Sequence, residues 1–306
     1  MSLSINTNTS SMVALETLNA TQTALSATEN AVSTGKKVAT AEDSPASYGI
    51  AAQMQGNISG QSAVNDGLTF AAKVVSNSDS AANNILSVLN NVQQAVTSLG
   101  NNDTSTTSLS QLNDELSGFF EQIDSIAGGA TINGANLLSG SASATNTLYA
   151  GMSTTGTSMA YVTALSGQRS TLAGFGSITG TAGTTFSATG STFSSMLGLS
   201  ATTFITGGTA LAGSLTDLVK NVQDAITNVT KFTSKLGAAS QTIASLSSFG
   251  TTLSDNLTAG VGALTDADMS AESAKLTSLQ TKQSLAIKSL TIANGQSQNI
   301  LSLFQG

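Results

Sequence analysis

Residues Ala263–Phe304 read ALTDADMSAESAKLTSLQTKQSLAIKSLTIANGQSQNILSLF, and the reading of this stretch decides the fold. Just after the Gly260/Gly262 pair, Thr265-Asp266-Ala267-Asp268 groups capping and acidic residues. They suit a helix N-terminus, where unpaired N–H groups and the positive dipole end favour a side-chain oxygen. Downstream, Leu276, Leu279, Ala286, Leu290, Ala293 and Ile300 recur three and four apart, with Gln283 and Ser297 at the missing steps. That spacing predicts a long helix with a coiled-coil seam. The run closes on Ile300-Leu301-Ser302-Leu303-Phe304, an apolar group that predicts a contact surface. One helix cannot cover such a stripe alone.

A similar stripe lies near the other end. Leu15, Leu18, Leu25 and Val32 fall on a three-four seam, with Gln22 and Glu29 at its polar steps. Gly35 is placed to cap the helix that carries it, and Lys36-Lys37 follow at the negative end of its dipole. Ser44-Pro45 reads as an N-cap followed by Pro at the first helical position. From there Val64, Leu68, Ala71, Val75, Ser78, Ala82, Ile85, Leu89, Val92, Val96 and Leu99 alternate steps of three and four. At ~1.5 Å per residue, Pro45–Leu99 makes a rod of roughly 80 Å. A shorter helix carries Leu109, Leu112, Leu116, Phe119, Ile123 and Ile126 and stops at Gly128-Gly129. Asn133-Gly134 is a hairpin-turn pair.

Between Ser125 and Thr216 the only charged residue is Arg169. This Gly/Ser/Thr-rich stretch, with Met159-Ala160-Tyr161-Val162-Thr163 as a strand, predicts a small β region with loops. Helical order returns at Leu215, Leu218, Val222, Ala225, Val229, Phe232, Leu236, Ala239, Ile243, Leu246, Gly250, Leu253 and Leu257, a rod of matching length to lie antiparallel against the first. The expected class is mainly α, with nested antiparallel helices from both termini and a small hairpin-containing region between them. The expected division is a terminal coiled coil (1–43 with 264–306), an inner helical rod (44–140 with 212–263) and an outward β-rich region (141–211).

Composition narrows the function. Charged residues are 9% and aromatics 4%, too few for a compact enzyme core but sufficient for helices meeting along narrow seams. A net charge of −7 with one arginine leaves no nucleic-acid footprint. No apolar run reaches the ~18 residues that read as a membrane span. Met1–Thr9 carries neither basic residue nor apolar core, so no cleaved secretory signal is expected. Cys and His are both absent, which removes disulfides, thiolate nucleophiles and any His-containing zinc site. Neither catalytic residues nor a cofactor or metal is expected.

Two motif-like stretches read better as structure. Ser33-Thr34-Gly35-Lys36-Lys37 suggests a phosphate loop, but its upstream Gly position is Asn30 and the last position is Lys37 instead of Ser or Thr. Asp266 and Asp268 could open a calcium loop, but Ala271 and Thr277 stand where Gly and Glu are required. A helix end and a helix cap account for them.

Taken together the two ends resemble bacterial flagellins, over nearly the whole chain and most closely those of alphaproteobacteria. The resemblance is carried by Ser4-Ile5-Asn6-Thr7-Asn8, Ala41-Glu42-Asp43-Ser44-Pro45-Ala46, Ile132-Asn133-Gly134, Asp266-Ala267-Asp268, Gln283, Ala293-Asn294 and Ile300-Leu301-Ser302-Leu303. It implies a structural, non-enzymatic subunit that self-assembles into the hollow filament of the flagellum. It also implies an extracellular location, reached through the type III export channel without a cleaved signal. Implied partners are copies of the same chain, the export apparatus and its chaperone, and the filament cap and hook–filament junction proteins. The expected self-assembly interface is Leu3, Ile5, Leu15, Leu18, Leu25, Val32, Leu276, Leu279, Leu290, Ile300, Leu301, Leu303 and Phe304. The rival readings are a hook–filament junction protein, and a minor filament subunit with a surface adhesin role in Ser166–Gly213.

Overall fold

The computed structural model describes residues 8–99, 106–138, 146–147, 153–155, 158–175, 197, 199, 205–206, 210–211 and 215–303; side chains at 99, 106–109, 146–147, 153–155, 205–206, 210–211, 215 and 296–303 are not described. Among the described residues five helices follow in order: α1 (Thr9–Thr34), α2 (Pro45–Leu99), α3 (Thr106–Gly129), α4 (Leu215–Thr265) and α5 (Met269–Leu303). Between α3 and α4 lie β1 (Asn146–Thr147), β2 (Ser153–Thr155), β3 (Ser158–Val162), β4 (Arg169–Leu172), β5 (Ile205–Thr206) and β6 (Ala210–Leu211). The chain forms two compact units, residues 1–58 with 255–306, and residues 59–254. None of the described helices is long and apolar enough to cross a membrane.

The unit of residues 59–254 holds the main core. Every seam residue of α2 from Val64 to Val96 is buried, and so are Leu218, Val222, Ala225, Val229, Phe232, Leu236 and Ile243 of α4. Leu112, Leu116, Phe120 and Ile123 of α3 join the same cluster. The three helices bury three-four stripes against one another, as their periodicity requires. At Asn133-Gly134 both residues have positive φ (48° and 83°) and Ile132 pairs with Ala135, so the expected tight turn forms. Asn136 ties it to α3, its Nδ2 donating to the Ala127 carbonyl at 2.7 Å.

The β region is an antiparallel sheet of order β1-β2-β3-β4 and a separate pair, β5-β6. On β3, Met159 and Tyr161 alternate inward to the core. Beyond β4, the Phe175 N–H donates to the Leu137 carbonyl, and its ring meets Phe232 edge-on at 5.5 Å.

α4 runs through Gly260 and Gly262 to Thr265. At Gly262 a Cβ would sit 2.8 Å from the Asp266 carboxylate. Each helical Gly costs ~1 kcal/mol relative to Ala, which a 51-residue helix tolerates. One expectation needs correction: the seam of α1 is rotated from the one expected. Gln22 and Glu29 are exposed, and Thr21 and Thr28 are the buried steps beside Leu25.

Candidate assembly surface

The terminal unit is built on α1 and α5, which pack antiparallel. At one end Asn8 caps α1, accepting from the Ser11 N–H, and its Nδ2 donates to the Ala293 carbonyl at 2.9 Å. The Ser11 hydroxyl donates to Asn294 Oδ1. At the other end, Gly35 in the left-handed region (φ 69°) turns the chain out of α1. Its carbonyl accepts from the Ala267 N–H, while the Lys37 N–H donates to the Thr265 carbonyl at 2.7 Å. Lys37 Nζ adds a bond to the Ala263 carbonyl, near the negative end of α4. Asp268 then starts α5, accepting from the Ser270 and Ala271 N–H groups.

The connector from α1 to α2 is clamped by one carboxylate. Asp43 Oδ2 accepts from the Ala39 and Thr40 N–H groups, both at 2.9 Å, and from the Thr40 hydroxyl. The backbone bonds to Thr40 and then Ala39 favour the charged form and hold Asp43 below its ordinary 3.8. A depressed carboxyl pKa contributes stability that is present above 3.8 and is lost as pH falls through the lower folded value. In a carbon-detected titration, the Asp43 carboxyl is therefore expected to titrate below 3.8 in the folded chain. A midpoint at or above that value would refute the clamp.

The seam between α1 and α5 is small and polar. Its buried residues are Thr21, Leu25 and Thr28 on α1 and Ala286 and Ala293 on α5. Thr28 is 1% exposed, and its hydroxyl has no hydrogen-bond partner among the described residues. A buried hydroxyl left so costs ~1–3 kcal/mol. Large aliphatics also lie on the outside: Met12, Val13 and Leu15 of α1, and Leu285, Ile287 and Ile292 of α5, with Ile292 71% exposed and Leu285 66%. The pair therefore shows apolar side chains beyond its seam, where a soluble coiled coil keeps them within it.

Of the residues expected in the interface, Leu25 is buried within the pair and Leu15 is exposed. Leu18, Val32, Leu276, Leu279 and Leu290 are half-buried along the seam. Ile300, Leu301 and Leu303 continue α5, with side chains that are not described, and Leu3, Ile5 and Phe304 lie outside the described residues. The exposed aliphatics Met12, Val13, Leu285, Ile287 and Ile292 lie outside that expected set. Leu285 and Ile292, seven residues apart and off the seam, share one face of α5.

Exposed aliphatics on the outer face of a helical pair are an uncovered apolar surface. The comparisons with known proteins give the family. Residues 5–143 match the family model described as the bacterial flagellin N-terminal helical region, and residues 219–304 match the bacterial flagellin C-terminal helical region. Flagellin FljM of Caulobacter vibrioides is 30% identical over 302 residues, covering 99% of this chain and 98% of the relative. A flagellin of Brucella melitensis is 32% identical over 304 residues, covering 99% of both. Flagellin C of Rhizobium meliloti is 31% identical over 334 residues, again covering 99% of both. The chain belongs to the bacterial flagellin family. It is a structural subunit of the flagellar filament, the extracellular part of the flagellum, and its family polymerises into that filament.

Proposed function

We propose that the chain is an exported, non-catalytic filament subunit. In this reading the terminal coiled coil, 1–43 with 264–306, is the filament core. The inner rod (44–140 with 212–263) surrounds it, and 141–211 faces outward. Export apparatus and chaperone deliver the chain, and the cap and hook–filament junction proteins meet it at the two ends of the polymer. The single observation that supports the core assignment is the set of exposed aliphatics on the outer face of the α1–α5 pair. Its outer aliphatics gain ~1.5–3 kcal/mol each when a neighbouring copy covers them, and nothing in the pair itself does so.

The test is a charge placed on that outer face. Val13→Asp with Ile292→Asp is expected to leave secreted protein in the medium while filaments are lost, because each buried carboxylate without a partner costs several kcal/mol. Filaments of normal length and number from the double variant would overturn the assignment.

A further inference from the structure

Among the described residues, Val64 is the first large apolar side chain of α2 to be buried; before it only Ala51 and Gln61 are. On α4 the last is Ile243, and after it Gly250 is the one buried residue before Thr265. Both helices nevertheless run on, α2 from Pro45 and α4 to Thr265. The core of the unit 59–254 therefore stops inside two continuous helices. A helix draws most of its stability from tertiary packing, so the rod opens at this level unless another contact holds it.

Two contacts meet α2 there. The first comes from the turn between β3 and β4. The Thr163 N–H and hydroxyl both donate to the Gln168 carbonyl, at 2.8 and 3.1 Å, and Gly167 takes φ 80°. The turn is carried by β3, whose Met159 and Tyr161 are buried in the core, so it is anchored from the core side. From it Leu165 reaches α2, and its Cδ1 fills the space that a Cβ at residue 60 would need. The second contact comes from α4. A Cβ at Gly250 would meet Asn65 Oδ1 and Gln61 Nε2, an amide pair joined at 3.2 Å. Residues 60 and 61 lie about 100° apart around a helix, so the two contacts grip different faces.

Among the described residues, Leu165 is the only neighbour that a Cβ at residue 60 would meet. Gly49 and Gly56, earlier on the same helix, have open space in that direction. Gly is a poorer helix former than Ala. At residue 60 that loss is offset by the seat it leaves for Leu165.

We propose that the β3–β4 turn is a strap. Leu165, seated on Gly60, holds α2 to the rod where the buried seam runs out, and so sets how far the preformed rod extends. The strap is a property of the single chain and stands independently of the filament reading.

The test is amide exchange of the full-length monomer, followed by mass spectrometry, in the parent chain and three variants. Leu165→Ala is expected to speed exchange in residues 59–68 and 243–254 by roughly fivefold or more, with residues 85–96 unchanged. Gly60→Ala separates the strap from helix propensity, because the two act with opposite signs. Propensity alone slows exchange around residue 60. A displaced Leu165 speeds it, both there and in residues 158–172. In the double variant the collision is gone, so residues 59–68 should exchange more slowly than in Leu165→Ala alone. Unchanged exchange in Leu165→Ala, unchanged or slower exchange in Gly60→Ala, or a double variant no slower than Leu165→Ala would each overturn the strap. So would equal acceleration of residues 85–96, which would mean that the whole rod is loosened and not its end.

Discussion

Phe232→Ala is expected to lower the thermal midpoint of the unit 59–254 by roughly 6–20 °C. The figure follows from ~3–5 kcal/mol for emptying a buried Phe site at ~2–4 °C per kcal/mol for a unit of this size. The site has little freedom to collapse. Phe232 is fully buried on α4, seated in a cluster shared with α2 and α3, and the Phe175 ring stands against it edge-on. Phe175 is itself fixed through its N–H to the Leu137 carbonyl. Removing the ring therefore loosens α4 and the segment after β4 together. Phe232→Leu keeps much of the volume and is expected to lose less than half as much. Circular dichroism melts of the two variants decide it. Equal midpoints for Phe232→Ala and the parent chain would mean that Phe232 does not join these elements.

The inner rod was legible in the sequence because the chain itself covers it. Where α2, α3 and α4 meet, the largest residues of each three-four stripe go inside, so Val64 to Val96 and Leu218 to Ile243 could be placed from spacing alone. The rule fails at α1. There it puts Leu15 on the seam, whereas the structure exposes Leu15 and buries Thr21 and Thr28. Ranking by size assumes that water is the only alternative to the seam. A polymer subunit has a second alternative, the surface of its neighbours, and its large side chains can be reserved for that. The meeting of Phe175 and Phe232, 57 positions apart in sequence, left no periodic trace at all.

Deleting Ile300–Gly306 is expected to abolish filaments while the thermal transition of the unit 59–254 stays where it is in the parent chain. The reason lies in how weakly α1 and α5 hold each other. Ordering the backbone costs ~1–2 kcal/mol per residue, and these helices have 26 and 35 residues. Among the described residues, Leu25 is the one large side chain their seam buries, contributing ~1.5–3 kcal/mol, while Leu18, Val32, Leu276, Leu279 and Leu290 are half-buried and contribute less each. The other buried members are Thr21, Thr28, Ala286 and Ala293, and the unpaired Thr28 hydroxyl works against the pair. Helices short of tertiary cover are marginal in water. Met12, Val13, Leu285, Ile287 and Ile292 stay uncovered among the described residues; with cover from other copies, folding of the arms and polymerisation should be one event. Removal of the apolar run at Ile300–Phe304 takes away part of that shared cover and should act on assembly alone. Amide exchange gives the decisive comparison. Thr9–Thr34 and Met269–Leu290 should exchange rapidly in the monomer and slowly in the filament, with Val64–Val96 protected in both. Strong protection of Leu276–Leu290 in a verified monomer would show that the arms fold by themselves, and the coupling of folding to assembly would have to be abandoned.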